Sequence, residues 1–182
     1  LPTVCYGVIP AEERDACGVG FAADRHNRRR RYIVDRGLTA LAAMEHRGAC
    51  LSDRITGDGT GLMTEIPWDL FGVEPGEVCV ATVFFRAKPE RRREAFDLIR
   101  QTFAFYGIEV LRRREVPTND EVLGPIAREL KPEIYHLILA WPAFARRGRS
   151  LARLLYLARQ KVRTVLKRAD FHREVFFTSL SM

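Results

Sequence analysis

Apolar positions along this chain follow two periods. Val78-Cys79-Val80-Ala81-Thr82-Val83-Phe84-Phe85 is a continuous β-rich run, the pattern of a strand covered on both faces. Residues 133–141 repeat that pattern, and 108–116 and 174–181 read as two further strands. Between them the period lengthens to that of a helix. Residues 89–106 set Phe96, Ile99, Phe103 and Tyr106 in one stripe and stop at Gly107. Residues 151–168, entered through Ser150, gather Leu151, Leu154, Leu155, Ala158, Val162 and Val165 on one face and leave their arginines on the wet one. Thr118 or Asn119 can cap a helix over 120–130, whose Asp120 and Glu121 fall in the first turn, where the helix dipole favours acids.

The front of the chain is more polar. Residues 17–23 read as a first strand, 24–31 as a hairpin tip, and 32–46 as a helix through Val34, Leu38 and Leu41 that stops at Gly48. The arginines 28–31 in the tip are a solvated charge run. Gly57, Gly59 and Gly61 around Asp58 suggest a tight turn with positive φ, feeding a strand over 62–66. That turn is no phosphate cradle, because it is neither GxGxxG nor a Walker run and Asp58 repels anions. Arg112, Arg113 and Arg114 mark their strand as an edge that resists further pairing. Cys79 reads as a packed core thiol and His136 as a sheet histidine rather than a ligand.

Composition adds bounds more than identity. A chain of 182 residues, 47% hydrophobic and 29% charged, is one ordinary globular domain's worth. Its net charge of +7 comes from 30 basic residues, among which Lys88, Lys131, Lys161 and Lys167 are the only lysines. The basic grooves interleaved with aromatics that hold nucleic acid are missing, so no nucleic-acid partner is expected. No apolar run reaches the roughly eighteen residues of a spanning helix, and no membrane partner is expected either. Cys5, Cys17, Cys50 and Cys79 form neither a CxxC pair nor a Cys/His cluster, which argues against a metal in this segment and against a disulfide framework. A reducing cytoplasm fits.

The candidate chemistry lies in the front third. Cys17 stands between a polar leader, 1–16, and Gly18-Val19-Gly20. A free thiol, with a pKa of about 8.5, is mostly protonated at neutral pH and needs a base. If the chain is cut before Cys17, the new α-amine, with a pKa of roughly 7.7–8.0, is that base. Gly18 leaves room for backbone and substrate to approach. Arg47 either caps the helix over 32–46 or shapes the site, and His46 reads as a structural hydrogen-bonding group.

The runs Glu13-Arg14-Asp15-Ala16-Cys17-Gly18-Val19-Gly20-Phe21, Met44-Glu45-His46-Arg47-Gly48-Ala49-Cys50 and Thr56-Gly57-Asp58-Gly59-Thr60-Gly61, in this order, resemble the amino-terminal glutaminase domain of the glutamate synthases, a class II amidotransferase with an N-terminal nucleophile. Arg114-Glu115-Val116-Pro117, Leu123-Gly124-Pro125, Lys131-Pro132-Glu133-Ile134 and Phe177-Thr178-Ser179-Leu180-Ser181 extend the resemblance over the chain. It implies an α+β fold of four layers, αββα with antiparallel sheets, of which this chain forms part. It also implies Cys17 as nucleophile on a central strand, Arg47 and Gly18 beside it, and the Asp58 turn packed against the nucleophile strand.

The resemblance further implies a leader over 1–16 and the first half of an amidotransferase domain over 17–182. The family's Arg-Phe-Ser-Thr clamp and Asn-Gly-Glu oxyanion motifs do not occur here, so this stretch by itself is expected to be nearly inactive. Glutamine is the implied substrate. Ammonia would pass to the remainder of a glutamate synthase polypeptide, where FMN and an iron–sulfur cluster support reductive amination of 2-oxoglutarate. Ferredoxin or a small subunit would donate electrons, in the cytoplasm or, in a photosynthetic eukaryote, the plastid. The alternatives are a fragment without its own activity and an amidotransferase serving another acceptor.

Overall fold

The computed structural model describes residues 18–182 except 27, 29, 45–47, 58, 87, 143 and 146–148. The chain divides into two compact units: the described residues of Leu1–Glu65 with Asp120–Glu129, and Ile66–Asn119 with Leu130–Met182.

The second unit is built on a four-stranded antiparallel sheet. Its strands are β1 (Cys79–Phe85), β2 (Glu109–Glu115), β3 (Glu133–Ala140) and β4 (Val175–Ser181), in the order β2-β3-β1-β4. β1 is central and pairs with β3 from Cys79↔Leu139 to Phe85↔Glu133. Its alternate residues Cys79, Ala81, Val83 and Phe85 join Tyr135, Leu137, Leu139, Val175 and Phe177 on one buried face. Two helices cover that face, α3 (Pro89–Phe105) with Ala95, Ile99 and Phe103, and α5 (Arg149–Arg168) with Leu151, Leu155, Ala158, Val162 and Leu166. On the opposite face Val80 and Ile138 pack with Val78 and with Trp68 and Phe71 of the one-turn α2 (Trp68–Phe71), which sequence periodicity did not reveal. The two-sided burial expected of 78–85 is therefore present.

Local chemistry sets the boundaries. α3 begins with Pro89 at its first turn and ends where Gly107, at φ 70°, lets Ile108 N–H donate back to the Phe103 carbonyl at 3.0 Å. A Cβ at 107 would also stand 3.2 Å from Cβ of Pro142. Between β1 and β4 the register slips after Thr82, so that Thr82 faces Ser179 and Val83 faces Phe177. Thr178, the extra residue, donates its hydroxyl to the Thr82 carbonyl at 2.9 Å. The bulge returns Leu180 to the helix-covered side, where it packs on the core.

β2 is an edge strand, as its arginines suggested, although they are not merely solvated. Arg113 lies over the Phe96 ring at 4.3 Å and the Tyr135 ring at 5.4 Å, and Arg112 donates to the Phe71 carbonyl. Arg159, read as part of the wet face of α5, donates to the Thr178 carbonyl at 2.9 Å.

His136 sits on β3 with its ring edge-on to Phe71, centroids 5.2 Å apart, and Arg114 alongside. Burial first, and then the Arg114 guanidinium, hold its pKa below the ordinary 6.5. Between the folded and unfolded values the unfolded chain binds more protons. This contribution is therefore complete above about pH 6.5 and is lost as pH falls through the folded value. His136→Gln should flatten that slope. Urea midpoints near about pH 7.5 and about pH 5.5 check it, and an unaltered difference between the two would remove His136 as the cause.

In the first unit five expectations are corrected. The described part of the 17–23 strand, 18–23, is not a strand, and neither is 62–66. Val19 is 89% exposed, Phe21 97% and Met63 100%, so the apolar alternation has no covering face among the described residues. The arginine run is no hairpin tip: it enters α1 (Arg31–Ala43) directly, shorter than the expected 32–46. Asp24 gathers this entry by accepting from His26 N–H at 2.7 Å, Arg28 Nη2 at 3.0 Å and the Tyr32 hydroxyl at 3.0 Å. Finally, the helix expected over 120–130 is only α4 (Pro125–Leu130), because Gly124-Pro125 breaks the run and supplies its start in place of a Thr118 or Asn119 cap.

The described residues thus contain an α+β arrangement with one antiparallel sheet, set between α3 and α5 on one face and α2 on the other.

Candidate functional site

Of the residues proposed for chemistry, Gly18 is described and exposed. Cys17, Arg47 and Asp58, together with His46, lie outside the described residues. What the structure does define is the segment between Arg47 and Asp58, residues 48–57, and the way it is tied.

This segment closes on itself. Cys50 and Gly57 form an antiparallel bridge, and Leu51 N–H donates to the Thr56 carbonyl at 2.7 Å. Arg54 makes the turn at φ 57°, with its N–H on the Leu51 carbonyl at 2.9 Å. Gly57 is not in the left-handed region expected of it; glycine fits there because a Cβ would stand 3.1 Å from the Ala49 carbonyl oxygen.

Asp53 is the centre of this closed loop. Its carboxylate accepts the N–H of Ile55 at 3.1 Å, the N–H of Thr56 at 2.8 Å and the Thr56 hydroxyl at 2.5 Å. The Thr56 hydroxyl first, then the backbone N–H groups of Thr56, Ile55 and Ile126, hold its pKa below the usual carboxylate range. The Thr56 oxygen in turn accepts Ala127 N–H, in the first turn of α4, at 3.4 Å. Gly124 lies against this group so closely that a Cβ there would be 2.4 Å from Thr56 Oγ1, 3.0 Å from Thr56 N and 3.1 Å from Asp53 Oδ2.

Sequence reasoning noticed the Thr-Gly-Asp-Gly and Leu-Gly-Pro runs separately, and Asp53 not at all. The available signal was an Asp three residues before a Thr in a short polar turn, the pattern of a side chain that bonds its own backbone.

Among the described residues no group of three or more His, Cys, Asp and Glu could hold a metal ion. Cys50 is exposed, and Cys79 is buried in the sheet core. No described helix is long and apolar enough to cross a membrane.

Comparison with known proteins supplies the rest. The family described as glutamine amidotransferases class-II matches residues 17–182. The chain is 39% identical over 179 residues to the chloroplastic ferredoxin-dependent glutamate synthase of Spinacia oleracea, covering 93% of this chain and 11% of that protein. It is 34% identical over 190 residues to the chloroplastic ferredoxin-dependent glutamate synthase 2 of Arabidopsis thaliana, covering 99% and 12%. Against the ferredoxin-dependent glutamate synthase of Cyanidium caldarium it is 34% identical over 182 residues, covering 93% and 12%. The chain therefore spans only about a ninth to an eighth of the length of these relatives.

Proposed function

The chain belongs to the class II glutamine amidotransferases, and from that membership we propose that it supplies the nucleophile for glutamine hydrolysis within a glutamate synthase. The observation that carries this reading is where the family match begins: its first residue is Cys17. The leader 1–16 would then lie outside the mature domain, and removing it leaves Cys17 with a free α-amine.

The chemistry follows from that position. The α-amine, with a pKa of roughly 7.7–8.0, takes the thiol proton directly or through one water. The thiolate attacks the side-chain amide carbon of glutamine. The C–N bond then breaks, the nitrogen takes up a proton and leaves as ammonia, and a thioester remains on Cys17. Water attacks the thioester carbon, releasing glutamate and restoring the thiol. Gly18 leaves space beside the nucleophile, and Arg47 and Asp58 help shape the substrate site. The oxyanion donors would come from other parts of the polypeptide.

The relatives' names support ferredoxin as electron donor to the complete enzyme over a nicotinamide-linked small subunit. In that enzyme ammonia meets 2-oxoglutarate, with FMN and an iron–sulfur cluster bound outside this segment. The cytoplasm, or the plastid of a photosynthetic eukaryote, is the compartment in keeping with that role.

Intact-mass spectrometry after treatment with a diazo-ketone analogue of glutamine tests the reading. One adduct is expected, on a polypeptide that begins at Cys17, and none on the Cys17→Ala variant. A protein that stays unlabelled, or an adduct that survives the substitution, overturns the assignment.

A further inference from the structure

The loop between Arg47 and Asp58 is closed at both its base and its tip. At the base the Cys50–Gly57 bridge fixes the spacing of two chain arms, one leading back to Arg47 within three residues and the other forward to Asp58 in a single step. At the tip Asp53 and Thr56 satisfy each other and the backbone, and the Thr56 hydroxyl oxygen reaches on to Ala127 N–H. Gly124 favours this docking, since a Cβ there would overlap the Thr56 hydroxyl and crowd Thr56 N at 3.0 Å, a backbone atom that cannot rotate away. A segment some seventy residues downstream thus holds the loop from outside, through the Asp53 carboxylate, the Thr56 hydroxyl and the missing Cβ at Gly124.

From this geometry we infer that Asp53, Thr56 and Gly124 are positioning residues for glutamine hydrolysis: they form a clamp that sets the register of the arms bearing Arg47 and Asp58. The inference rests on the reading that those two residues shape the glutamine site. The clamp touches no substrate. Its effect comes from removing freedom where small displacements matter, since about 1 Å of misplacement from a remote change can cost on the order of 100-fold in rate.

The three sites act through different atoms, which makes the clamp testable in the full polypeptide by glutamate release from glutamine. Gly124→Ala should lower kcat/KM about 10- to 100-fold. Thr56→Val, which keeps the volume and loses the hydroxyl, should do the same, and Thr56→Ser should recover most of that loss. The melting of the sheet-bearing unit should not move in any of the three. If the wild type hydrolyses glutamine and both Gly124→Ala and Thr56→Val stay within about two-fold of it, the clamp is overturned while the glutaminase reading stands. Equal impairment of Thr56→Ser and Thr56→Val also overturns it, because the hydroxyl that Thr56→Ser keeps would then not be what carries the effect. A wild-type protein that releases no glutamate removes the glutaminase reading, and the clamp falls with it.

Discussion

Cys17→Ala should reduce glutamine hydrolysis by about 10⁴-fold or more while leaving the folded core unchanged. The size of the effect follows from the role: when the attacking atom is lost no covalent intermediate forms, and deletion of a nucleophile in enzymes of this kind removes nearly all of the catalysed rate. Cys79 is fully buried in β1 and cannot take over the attack. Glutamate release in the full polypeptide measures the loss, and far-UV circular dichroism checks the fold. Residual turnover near wild type would sink the assignment of Cys17. Retained folding is expected because the sheet, α3 and α5 all lie in the second unit, to which residue 17 does not belong.

Phe103→Ala should destabilise that second unit by about 3–5 kcal/mol. Phe103 is 0% exposed on α3, and its ring lies 5.9 Å from that of Phe177 on β4. Truncation removes apolar contact between helix and sheet and leaves a cavity in a core of buried side chains. Against a total stability of typically 5–15 kcal/mol this is a large fraction. Two residues further along the same helix, Phe105 is 80% exposed, and Phe105→Ala should stay within about 0.5 kcal/mol. Urea unfolding followed by circular dichroism compares the two. Similar shifts in both midpoints would show that burial on α3 is not what sets the cost.

The second unit was the readable part of the sequence. Strands over 78–85, 108–116, 133–141 and 174–181 and helices over 89–106 and 151–168 each appear, shifted by no more than about two residues, in keeping with the usual end fraying. There the apolar period, the Gly107 stop and the β-branched runs all agree, and the elements cover one another's apolar faces. The first unit was less readable because its pattern and its packing part company. Val19, Phe21 and Met63 have the alternation of strands, but alternation says only that a face seeks cover, and it names no partner. At 120–130 the acidic first turn suggested one helix, although Gly124-Pro125 was already a breaker.

For the site, the mechanism of an N-terminal thiol singles out Cys17 as the candidate, and the three quoted runs made the family legible, which the match over 17–182 bears out. The Asp53–Thr56–Gly124 clamp was not legible. Its residues are ordinary turn formers when taken one at a time, and their meaning is a contact between loops far apart in the chain.

The central position of β1 has a further consequence, which concerns synthesis. Both strands that flank β1 are made after it, β3 first and β4 last, with Phe85 waiting for Val175 and Ala81 for Leu180. At roughly 5–20 residues per second, β1 leaves the ribosome about 5–20 s before its second edge can close. During that interval its run of Val80, Val83, Phe84 and Phe85 is an open template for non-native pairing. α3, emerging next, can shield one face with Ile99 and Phe103 but neither hydrogen-bonding edge. A nascent chain stalled before residue 175 should therefore be held by chaperones that recognise exposed strands, and released once the segment from Val175 to Ser181 has cleared the exit tunnel.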